Sequence, residues 1–555
     1  MAFRDLLHRA EAWVSADPEP ATRNELAHLI NKARQGGPRS AAGIDLASRF
    51  RGSLTFGTAG LRGRLGAGET RMNRAVVIRT TAGLMAWLTD QVDAPRVVIG
   101  CDARHGSAAF ARDVARVVSA AGGRALVLPP GQPTPLTAFA VRAYNADAGV
   151  MITASHNPAT DNGYKVYTGG RISEAAGVQI IPPADAEISA HIERVGAATT
   201  VPTGDDAIEH IDPRLDYINR IVSLARPGDI RIVLTPMHGV GRCLAHAGLT
   251  RAGFTDLHIV AAQADSDPNF PTVAFPNPEE DGALDLAREY ARRIDADLVI
   301  ALDPDADRCA VCVPEGTTWR QLSGDEVGMI LADDVARRAV ADKRTGTIAT
   351  SVVSTRAIAS IAAFYGLKSA TTLTGFKWIA RVPDLIFGCE EAIGYCPDPD
   401  AVADKDGIAT AILVCSIAAQ CRARGRTLLD LLDDIAERIG PSRTRALTVR
   451  LDDPAQGAAI MASLRANPPR LLAGEKVAEV VDLASGWRGL PPTDAVMVTT
   501  EADSRLVVRP SGTEPKIKCY LEASAPVGTP RSRWGEVEER LQRLSADVTA
   551  LVDLA

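Results

Sequence analysis

The sequence has no long uninterrupted apolar segment. None of its apolar runs approaches the ~20 residues that a membrane-spanning helix needs. The first residues, Met1-Ala-Phe-Arg-Asp5, also lack the basic stretch followed by an apolar stretch that marks a secretory signal. The sequence therefore predicts a cytoplasmic protein with no membrane partner.

Cysteine is sparse, with nine residues scattered through 555 positions. A disulfide framework needs paired cysteines in a short secreted chain, so we expect buried thiols in a reducing compartment. Cys309 and Cys312 have CxxC spacing, but no second pair follows and the surrounding run is typical of a strand. We therefore predict neither a metal site nor a redox site at this pair.

Positive charge is not in excess either. Lysine and arginine number 61 against 68 acidic residues, which gives a net charge of −7. No global basic field draws the chain to nucleic acid, so an anionic substrate requires positive charge concentrated in a cleft. Hydrophobic residues make up 46% of the chain, as is usual for a globular protein. At roughly 100–200 residues per domain, this length predicts three to five domains.

From about residue 50 onward, short apolar runs alternate with segments of helical periodicity, which predicts α/β domains with largely parallel sheets. The predicted strands are 96–102, 124–128, 148–153, 230–234, 257–260, 297–302, 347–353 and 384–387. The first ~50 residues favour helices, broken by Pro18 and Pro20. Domain joints are expected near 202–213, 316–323 and 440–442.

The last ~110 residues favour strands and end in an amphipathic helix. Its apolar residues recur every three or four positions, which predicts that this face packs against its own domain: Trp534, Val537, Leu541, Leu544, Val548 and Leu551.

A polar loop, Thr153-Ala-Ser-His-Asn-Pro158, directly follows one of the predicted buried strands. The carboxyl end of such a strand is where α/β domains place ligands, and Asn157-Pro158 favours a turn that lifts the Ser155 hydroxyl out of the regular strand ladder. His156 is a candidate for proton transfer or for a hydrogen bond to phosphate. A Ser-His turn that merely closes the strand is the alternative.

A second loop, Asp303-Pro-Asp-Ala-Asp-Arg308, carries three carboxylates at alternate positions. Such carboxylates can converge on one hard cation, and they repel one another unless a cation neutralises them. The spacing differs from that of an EF-hand loop. We predict a metal site here, with a solvated acidic turn as the alternative, and Arg308 is placed to reach a phosphate shared with the metal.

Two later segments carry further polar groups. The adjacent glutamates of Gly388-Cys-Glu-Glu-Ala-Ile-Gly-Tyr395 could accept hydrogen bonds from sugar hydroxyls, although paired glutamates are usually just exposed. The segment Arg509-Pro-Ser-Gly-Thr-Glu-Pro-Lys516 has the hydroxyls, glycine and cations of a phosphate cradle. Near the N-terminus, a glycine-rich turn before the first strand makes Arg62 a candidate phosphate ligand.

Taken together and in this order, these loops resemble the α-D-phosphohexomutase superfamily across nearly the whole chain. The resemblance implies an α/β, four-domain architecture around a central cleft, with three similar mixed-sheet α/β domains and a smaller α+β C-terminal domain. The implied bounds are 1–212 with the phosphoserine loop, 213–322 with the metal-binding loop, 323–440 with the sugar-binding loop and 441–555 with the phosphate-binding loop.

The resemblance also implies a reaction, the interconversion of hexose 1-phosphate and hexose 6-phosphate through a phosphoserine and a 1,6-bisphosphate intermediate. The implied cofactor is Mg²⁺, with glucose 1,6-bisphosphate or an equivalent hexose bisphosphate as activator. The partner is a sugar phosphate substrate, and the protein is expected to be a monomer or homodimer.

Individual roles follow from the same resemblance. The implied catalytic residues are the nucleophile Ser155 together with His156, Lys165, Arg62 and Arg308. The implied metal ligands are a phosphoserine oxygen of Ser155 and the carboxylates of Asp303, Asp305 and Asp307. The implied substrate-binding residues are Thr374, Gly375, Lys377, Glu390, Ala392, Arg509, Ser511, Gly512, Thr513 and Lys518.

Three positions depart from patterns common in that superfamily. Ala392 stands where many members have a serine, Tyr395 falls near a histidine, and Phe376 replaces a histidine or tryptophan. These changes leave phosphoryl transfer intact but obscure the choice between glucose and mannose.

Other functions remain open at this point. The opening glycine-rich motif and the EEAIGY variant also resemble the branch with phosphopentomutases and glucose-1,6-bisphosphate synthases. A non-catalytic structural relative would have lost the nucleophile or an acidic ligand, and Ser155 and all three aspartates are present. A glycosyltransferase would need a nucleotide-binding signature, and none accompanies the acidic triad.

Overall fold

The computed structural model describes residues 2–58, 60–451, 453–510 and 516–553, without the side chains of residues 454 and 551–553. Within this part, the chain forms two compact units. The first comprises Met1–Gln321 with Gly394–Ala419, and the second comprises Leu322–Ile393 with Gln420–Ala555.

The N-terminal segment is helical, as predicted: α1 (Phe3–Ala16), α2 (Pro20–Gly36) and α3 (Ala41–Arg49). Pro20 occupies the first position of α2, where its missing N–H costs no hydrogen bond. The Ser40 side chain caps α3 by accepting the N–H of Gly43 at 3.0 Å. One leucine from each helix, Leu6, Leu26 and Leu46, is buried in the same hydrophobic core as the first sheet.

The next elements form the first sheet and its helices: β1 (Leu61–Arg64), α4 (Arg74–Thr89), β2 (Arg96–Cys101), α5 (Ser107–Ala120), β3 (Arg124–Val127), α6 (Thr134–Ala143), β4 (Ala148–Ile152), β5 (Asp161–Thr168), β6 (Val178–Gln179), α7 (Ala184–Arg194) and β7 (Ile208–His210). The strand order is β1-β5-β4-β2-β3-β7, with β6 on β5. Strands β2, β3, β4 and β7 are parallel, whereas β1 and β5 are antiparallel additions.

The second sheet follows: α8 (Arg214–Val222), β8 (Ile232–Thr235), α9 (Arg242–Arg251), β9 (Leu257–Ile259), α10 (Asp285–Arg293), β10 (Leu298–Leu302), β11 (Cys309–Glu315) and β12 (Thr318–Gln321). The strand order is β12-β11-β10-β8-β9, with β8, β9 and β10 parallel and β11 and β12 antiparallel. Strand β10 is buried along its length, and it ends immediately before the acidic loop.

The third group contains α11 (Gly324–Ala341), β13 (Thr347–Ser351), α12 (Ala357–Phe364), β14 (Lys368–Thr372), α13 (Phe376–Ile379), β15 (Leu385–Glu390), β16 (Gly394–Cys396), α14 (Gly407–Arg422) and α15 (Leu428–Ile439). Strands β14, β13 and β15 are parallel and lie in that order. Strand β16 and most of α14 belong to the first unit.

The C-terminal stretch is built on antiparallel strands: β17 (Ser442–Arg450), α16 (Pro454–Ala466), β18 (Leu471–Leu472), β19 (Glu475–Asp482), β20 (Val496–Thr500), β21 (Arg505–Pro510), β22 (Lys516–Ser524) and α17 (Gly535–Asp553). The strand order is β17-β22-β21-β20-β19-β18. The architecture is therefore three α/β domains and a smaller α+β domain, as expected.

All eight strands predicted from the sequence are present, displaced by a few residues at most. The prediction of largely parallel sheets missed the antiparallel strands β1 and β5. Strand β5 contains polar residues and two tyrosines, and it lacks the continuous apolar run by which the parallel strands were found.

The nine cysteines are free thiols, and seven of them are buried as expected, whereas Cys421 is half-buried and Cys243 is exposed. Cys309 and Cys312 are both buried on β11, and their spacing of three directs the side chains to opposite faces of the sheet. This arrangement fits structural thiols. None of the helices in the described part of the chain is both long enough and apolar enough to span a bilayer.

The apolar stripe of α17 packs into the C-terminal core, as predicted. Val537, Leu541, Leu544 and Val548 are buried there, while Trp534 precedes the helix and the Leu551 side chain lies outside the described residues.

We expect Leu544→Ala to lower the free energy of unfolding of the C-terminal domain by about 2–5 kcal/mol, because it leaves a cavity at a fully buried site. Gln542→Ala, at an exposed position of the same helix, is the control and should change stability by less than about 0.5 kcal/mol. Urea unfolding followed by tryptophan fluorescence measures both. Equal effects of the two substitutions would contradict the packing of this helix face.

Candidate active site

The serine loop leaves the carboxyl end of β4 in an uncommon backbone conformation. Ser155 is 2% exposed and has a φ of +52°, in the left-handed region that non-glycine residues rarely occupy. Its N–H donates to the Thr153 hydroxyl at 2.9 Å. Such strain persists only where the surroundings hold it, and it is common at functional sites.

The Ser155 hydroxyl points at two chemically relevant groups. It donates to Asp303 Oδ2 at 3.0 Å, and it lies 3.3 Å from Nδ1 of His156. The structure thus brings the predicted nucleophile, the predicted proton-transfer group and the first predicted metal ligand together.

The acidic loop gathers its three carboxylates after β10. Asp303, Asp305 and Asp307 are each at most 1% exposed, and one oxygen from each lies within 4.8 Å of the others. Ala306 has a φ of +54°, which curls the loop so that the alternating side chains converge. The N–H of Ala306 closes this curl by donating to the carbonyl of Asp303 at 2.8 Å.

These residues fit a divalent cation. The Oδ1 atoms of Asp305 and Asp307 are buried, and neither accepts a hydrogen bond from the part of the chain that the structure describes. A buried carboxylate oxygen without a partner carries a large desolvation cost. An all-oxygen donor set of this kind suits Mg²⁺ or another hard cation. The predicted cluster could therefore hold a metal.

The three carboxylates differ in their electrostatics. Burial raises the pKa of Asp303 well above its usual range, and the neighbouring charges of Asp305 and Asp307 add to this. Burial acts the same way on Asp307, but Lys165, Lys405 and Arg308 outweigh it and lower the pKa of that carboxyl. Nearby cationic groups therefore stabilise the ionised form of Asp307 despite its burial.

Two buried lysines supply most of this positive charge. Lys165 Nζ donates to Oδ2 of Asp305 at 2.8 Å and to Oδ2 of Asp307 at 2.9 Å. Lys405 Nζ lies 3.0 Å from the same Asp307 oxygen. Burial opposes the charge of Lys165, yet the two carboxylates raise its pKa, so this lysine carries its proton.

The two predicted arginines approach the same region. Arg62 lies within strand β1, and not in a turn before the first strand as the sequence suggested. Strand β1 forms because it pairs antiparallel with β5, the strand that also carries Lys165. The Arg62 Nη1 donates to the Asn157 side-chain oxygen of the serine loop at 3.1 Å. Arg308 donates its backbone N–H to Asp303 Oδ1 at 3.0 Å, and its Nε lies 3.6 Å from Asp307.

In the second unit, the two glutamates of the sequence motif differ in their surroundings. Glu391 Oε2 accepts hydroxyls from Ser354 at 2.8 Å and from Ser351 at 3.3 Å. Its N–H donates to the same Ser354 hydroxyl at 3.1 Å. Glu390 is the last residue of β15, and Ala392 is partly buried. Glu391 is thus an anchor of this loop.

The second unit also joins two of the predicted phosphate- and sugar-binding segments. Arg509 Nη1, at the end of β21, donates to the Thr374 hydroxyl at 2.9 Å, and Lys518 faces Arg509 in the register of β21 and β22. Gly375 has a φ of +102°, and Lys377 lies in the short helix α13.

Three more predicted residues, Ser511, Gly512 and Thr513, lie outside the described residues.

The sequence reasoning missed three residues that contact the site. Lys405 sits in Asp404-Lys-Asp-Gly407 ahead of a long apolar helix, a signal that could have been read. Thr134 donates its hydroxyl to Asp305 Oδ2 at 2.6 Å, and nothing in its neighbourhood marks it. Arg104 contacts the serine loop from behind, and its position just after strand β2 is a signal of the same kind as that of Ser155.

Four models of phosphoglucomutase/phosphomannomutase domains match the chain in order. Alpha/beta/alpha domains I, II and III match residues 53–198, 209–316 and 323–439, and the C-terminal domain matches residues 448–527.

The curated relatives point the same way. A probable phosphomannomutase of Haemophilus influenzae is 43% identical over 458 residues, which is 81% of this chain and 93% of that protein. A phosphoglucomutase of Staphylococcus aureus is 32% identical over 521 residues, which is 87% of this chain and 92% of that one.

A solved structure with the same fold is a putative phosphomannomutase from Thermus thermophilus. It superimposes with a TM-score of 0.69 at 23% identity, over 90% of this chain and 99% of that one.

We expect Mg²⁺ to raise the melting temperature of the protein, since the cation binds carboxylates that converge only in the folded state. Mass action gives about 2.7 kcal/mol of stabilisation at a concentration 100 times the dissociation constant. Asp305→Asn should abolish the shift, whereas Asp265→Asn, at an exposed aspartate, should retain it. Thermal unfolding with and without Mg²⁺ measures this, and an unchanged shift in Asp305→Asn would refute the site.

Proposed function

This chain belongs to the phosphoglucomutase/phosphomannomutase family, and from that premise we propose that it is a phosphohexomutase acting through phosphorylated Ser155. It interconverts hexose 1-phosphate and hexose 6-phosphate, with glucose or mannose as the sugar. Relatives named phosphomannomutase and phosphoglucomutase support this activity. The alternatives, a phosphopentomutase or a glucose-1,6-bisphosphate synthase, gain no support from the relatives reported above.

One observation carries the proposal, namely the hydrogen bond of 3.0 Å from the Ser155 hydroxyl to Asp303 within a cluster of three buried carboxylates. A serine that merely closed a strand would have no reason to face such a cluster. A serine that carries a phosphoryl group needs a cation beside it, because phosphoryl transfer depends chiefly on charge neutralisation and alignment.

The reaction consists of two transfers. Phospho-Ser155 gives its phosphoryl group to the free hydroxyl of the sugar monophosphate, which yields a 1,6-bisphosphate and a free serine. The intermediate then turns around, and Ser155 takes back the other phosphoryl group. The P–O bond broken in each step leaves an oxygen that gains a proton, while the attacking hydroxyl loses one. A hexose 1,6-bisphosphate added as activator would phosphorylate a free Ser155 by this second transfer.

Asp303, Asp305 and Asp307, together with an oxygen of phospho-Ser155, would hold Mg²⁺. When bound, the ion supplies charge neutralisation that makes the phosphoryl group more electrophilic. The open Oδ1 atoms of Asp305 and Asp307 support this assignment.

The surrounding residues move protons and hold charge. His156, at 3.3 Å from the Ser155 oxygen, is within reach of a proton on the nucleophile. Lys165 is assigned to proton transfer as well, and the ion pairs with Asp305 and Asp307 keep it in the protonated form that donates. Arg62 lies at the serine loop and Arg308 at the acidic loop, and both would contact phosphoryl oxygens.

Residues of the second unit would bind the sugar phosphate. Glu390 would accept hydrogen bonds from a sugar hydroxyl, since Glu391 is committed to Ser351 and Ser354. Thr374, Gly375, Lys377 and Ala392 would line the sugar. The non-reacting phosphate would be held by Arg509, Ser511, Gly512, Thr513 and Lys518.

We further propose domain boundaries after residues 212, 322 and 440. Each of the four stretches so defined contains the strands of one group, β1–β7, β8–β12, β13–β16 or β17–β22, which supports these limits. A cytoplasmic location and a monomer or homodimer complete the proposal.

We expect a coupled assay with Mg²⁺ and a trace of glucose 1,6-bisphosphate to give a higher kcat/KM on glucose 1-phosphate or mannose 1-phosphate than on ribose 1-phosphate. Ser155→Ala should be inactive because it has no nucleophile. Ser223→Ala, which removes an exposed hydroxyl, is the control and should match the unaltered protein. Activity that survives in Ser155→Ala would disprove the phosphoserine route, and a preference for ribose would identify a phosphopentomutase.

We expect Glu390→Gln to lower kcat/KM for glucose 1-phosphate about 10- to 100-fold, the usual value of a hydrogen bond to a charged group. The same measurement with 3-deoxyglucose 1-phosphate should show little further loss in the variant, because the substitution has already removed the interaction between the Glu390 carboxylate and the sugar 3-hydroxyl. If the losses from the variant and from the deoxy sugar were additive, Glu390 would not bind that hydroxyl.

A further inference from the structure

Arg104 lies directly behind the serine loop and is 4% exposed. Its Nη2 donates to the carbonyls of Ser155 and Asn157, both at 2.6 Å. Its Nη1 donates to the carbonyls of Pro158 at 2.8 Å and Asp161 at 3.2 Å. One side chain therefore holds the backbone of the whole loop between β4 and β5.

The geometry uses the full donor capacity of the two terminal nitrogens. A guanidinium carries four N–H groups on its Nη atoms in a rigid plane, and four carbonyls receive them. A lysine has a single nitrogen with three donors and no plane, so it cannot span the same set of carbonyls. The loop thus requires an arginine here, and a positive charge alone does not suffice.

Arg104 is itself held on its other sides. Its Nε lies 3.4 Å from Asp102 Oδ2, and Asp102 Oδ1 in turn accepts the Ser107 hydroxyl at 2.6 Å. The Phe270 ring covers the guanidinium at 5.0 Å from its centroid. The Asn162 amide donates to the Ser107 hydroxyl at 2.9 Å. The arginine is consequently a fixed template, and not a mobile surface group.

The loop that it holds contains the left-handed Ser155. Without the four hydrogen bonds, nothing else among the described contacts ties the carbonyls of Ser155, Asn157 and Pro158 to a buried side chain. A relaxed loop would let Ser155 return to a commoner conformation and move its oxygen away from Asp303.

We propose that Arg104 is a positioning residue for the nucleophile, which sets the direction of the Ser155 oxygen by fixing four carbonyls of its loop. This inference rests on the proposed function, since it concerns the alignment of phosphoryl transfer at Ser155. Arg104 acts through the backbone. Its loss should therefore slow the transfer step and leave the sugar-binding residues unaffected.

The test compares Arg104→Lys with Arg112→Lys, a control at an exposed arginine of the same domain. Each protein is charged with glucose 1,6-bisphosphate, and phosphoserine at residue 155 is confirmed by mass spectrometry. Transfer to glucose 1-phosphate is then followed in a single turnover, alongside kcat, KM and the melting temperature. For Arg104→Lys we expect the transfer rate and kcat to fall about 100-fold, the effect of a misplacement of about 1 Å.

In the same variant, KM and the melting temperature should stay close to those of the control. An unchanged transfer rate would overturn the proposal, as would parallel losses in kcat, KM and melting temperature, which indicate general destabilisation. If Arg104→Lys does not fold, Asp102→Asn decides by the same criteria, because it removes the carboxylate charge 3.4 Å from Nε that orients the guanidinium. A wild-type protein that never gains phosphate at Ser155 would instead refute the proposed function.

Discussion

Three buried carboxylates that repel one another are the constraint on which the rest of the first unit depends. Asp303, Asp305 and Asp307 lie within 4.8 Å and away from water, an arrangement that a fold tolerates only with positive charge and donors around it. The fold brings these from distant segments, as Lys165 on β5, Lys405 before α14 and the Thr134 hydroxyl of α6. The proposed catalytic groups thus lie around these mutually repelling carboxylates.

The same requirement explains the strained backbone of the two loops. A carboxylate loop converges on one point only if it curls, and Ala306 takes a left-handed φ to do so. A serine reaches that point only if its own loop turns sharply, and Ser155 takes a left-handed φ as well. Both conformations cost free energy, of the order of 1 kcal/mol or more each. The buried hydrogen bonds behind the loops offset that cost and keep the functional groups aligned.

The second unit carries the segments that we propose to bind the sugar phosphate. Of two adjacent glutamates, Glu391 is anchored by the Ser351 and Ser354 hydroxyls, which fixes the loop that carries Glu390. Arg509 bonds Thr374 at 2.9 Å and so links a strand of the C-terminal sheet to the turn before α13. Because Glu391 is held by two hydroxyls, the backbone position of the adjacent Glu390 is fixed as well.

The sequence by itself determined the α/β character of the chain, the eight apolar strands, the serine loop and the acidic triad, because these signals are local: a continuous apolar run, a turn, a spacing of two residues. Tertiary structure alone decided which cations meet the triad. Strand β5 has no continuous apolar run by which the sequence would reveal it. Its antiparallel pairing with β4 and β1 nevertheless places Lys165 at the acidic triad and Arg62 at the serine loop. Lys405 and Arg104 arrive from segments 102 residues after Asp303 and 51 residues before Ser155, and no local pattern encodes a contact over such a separation.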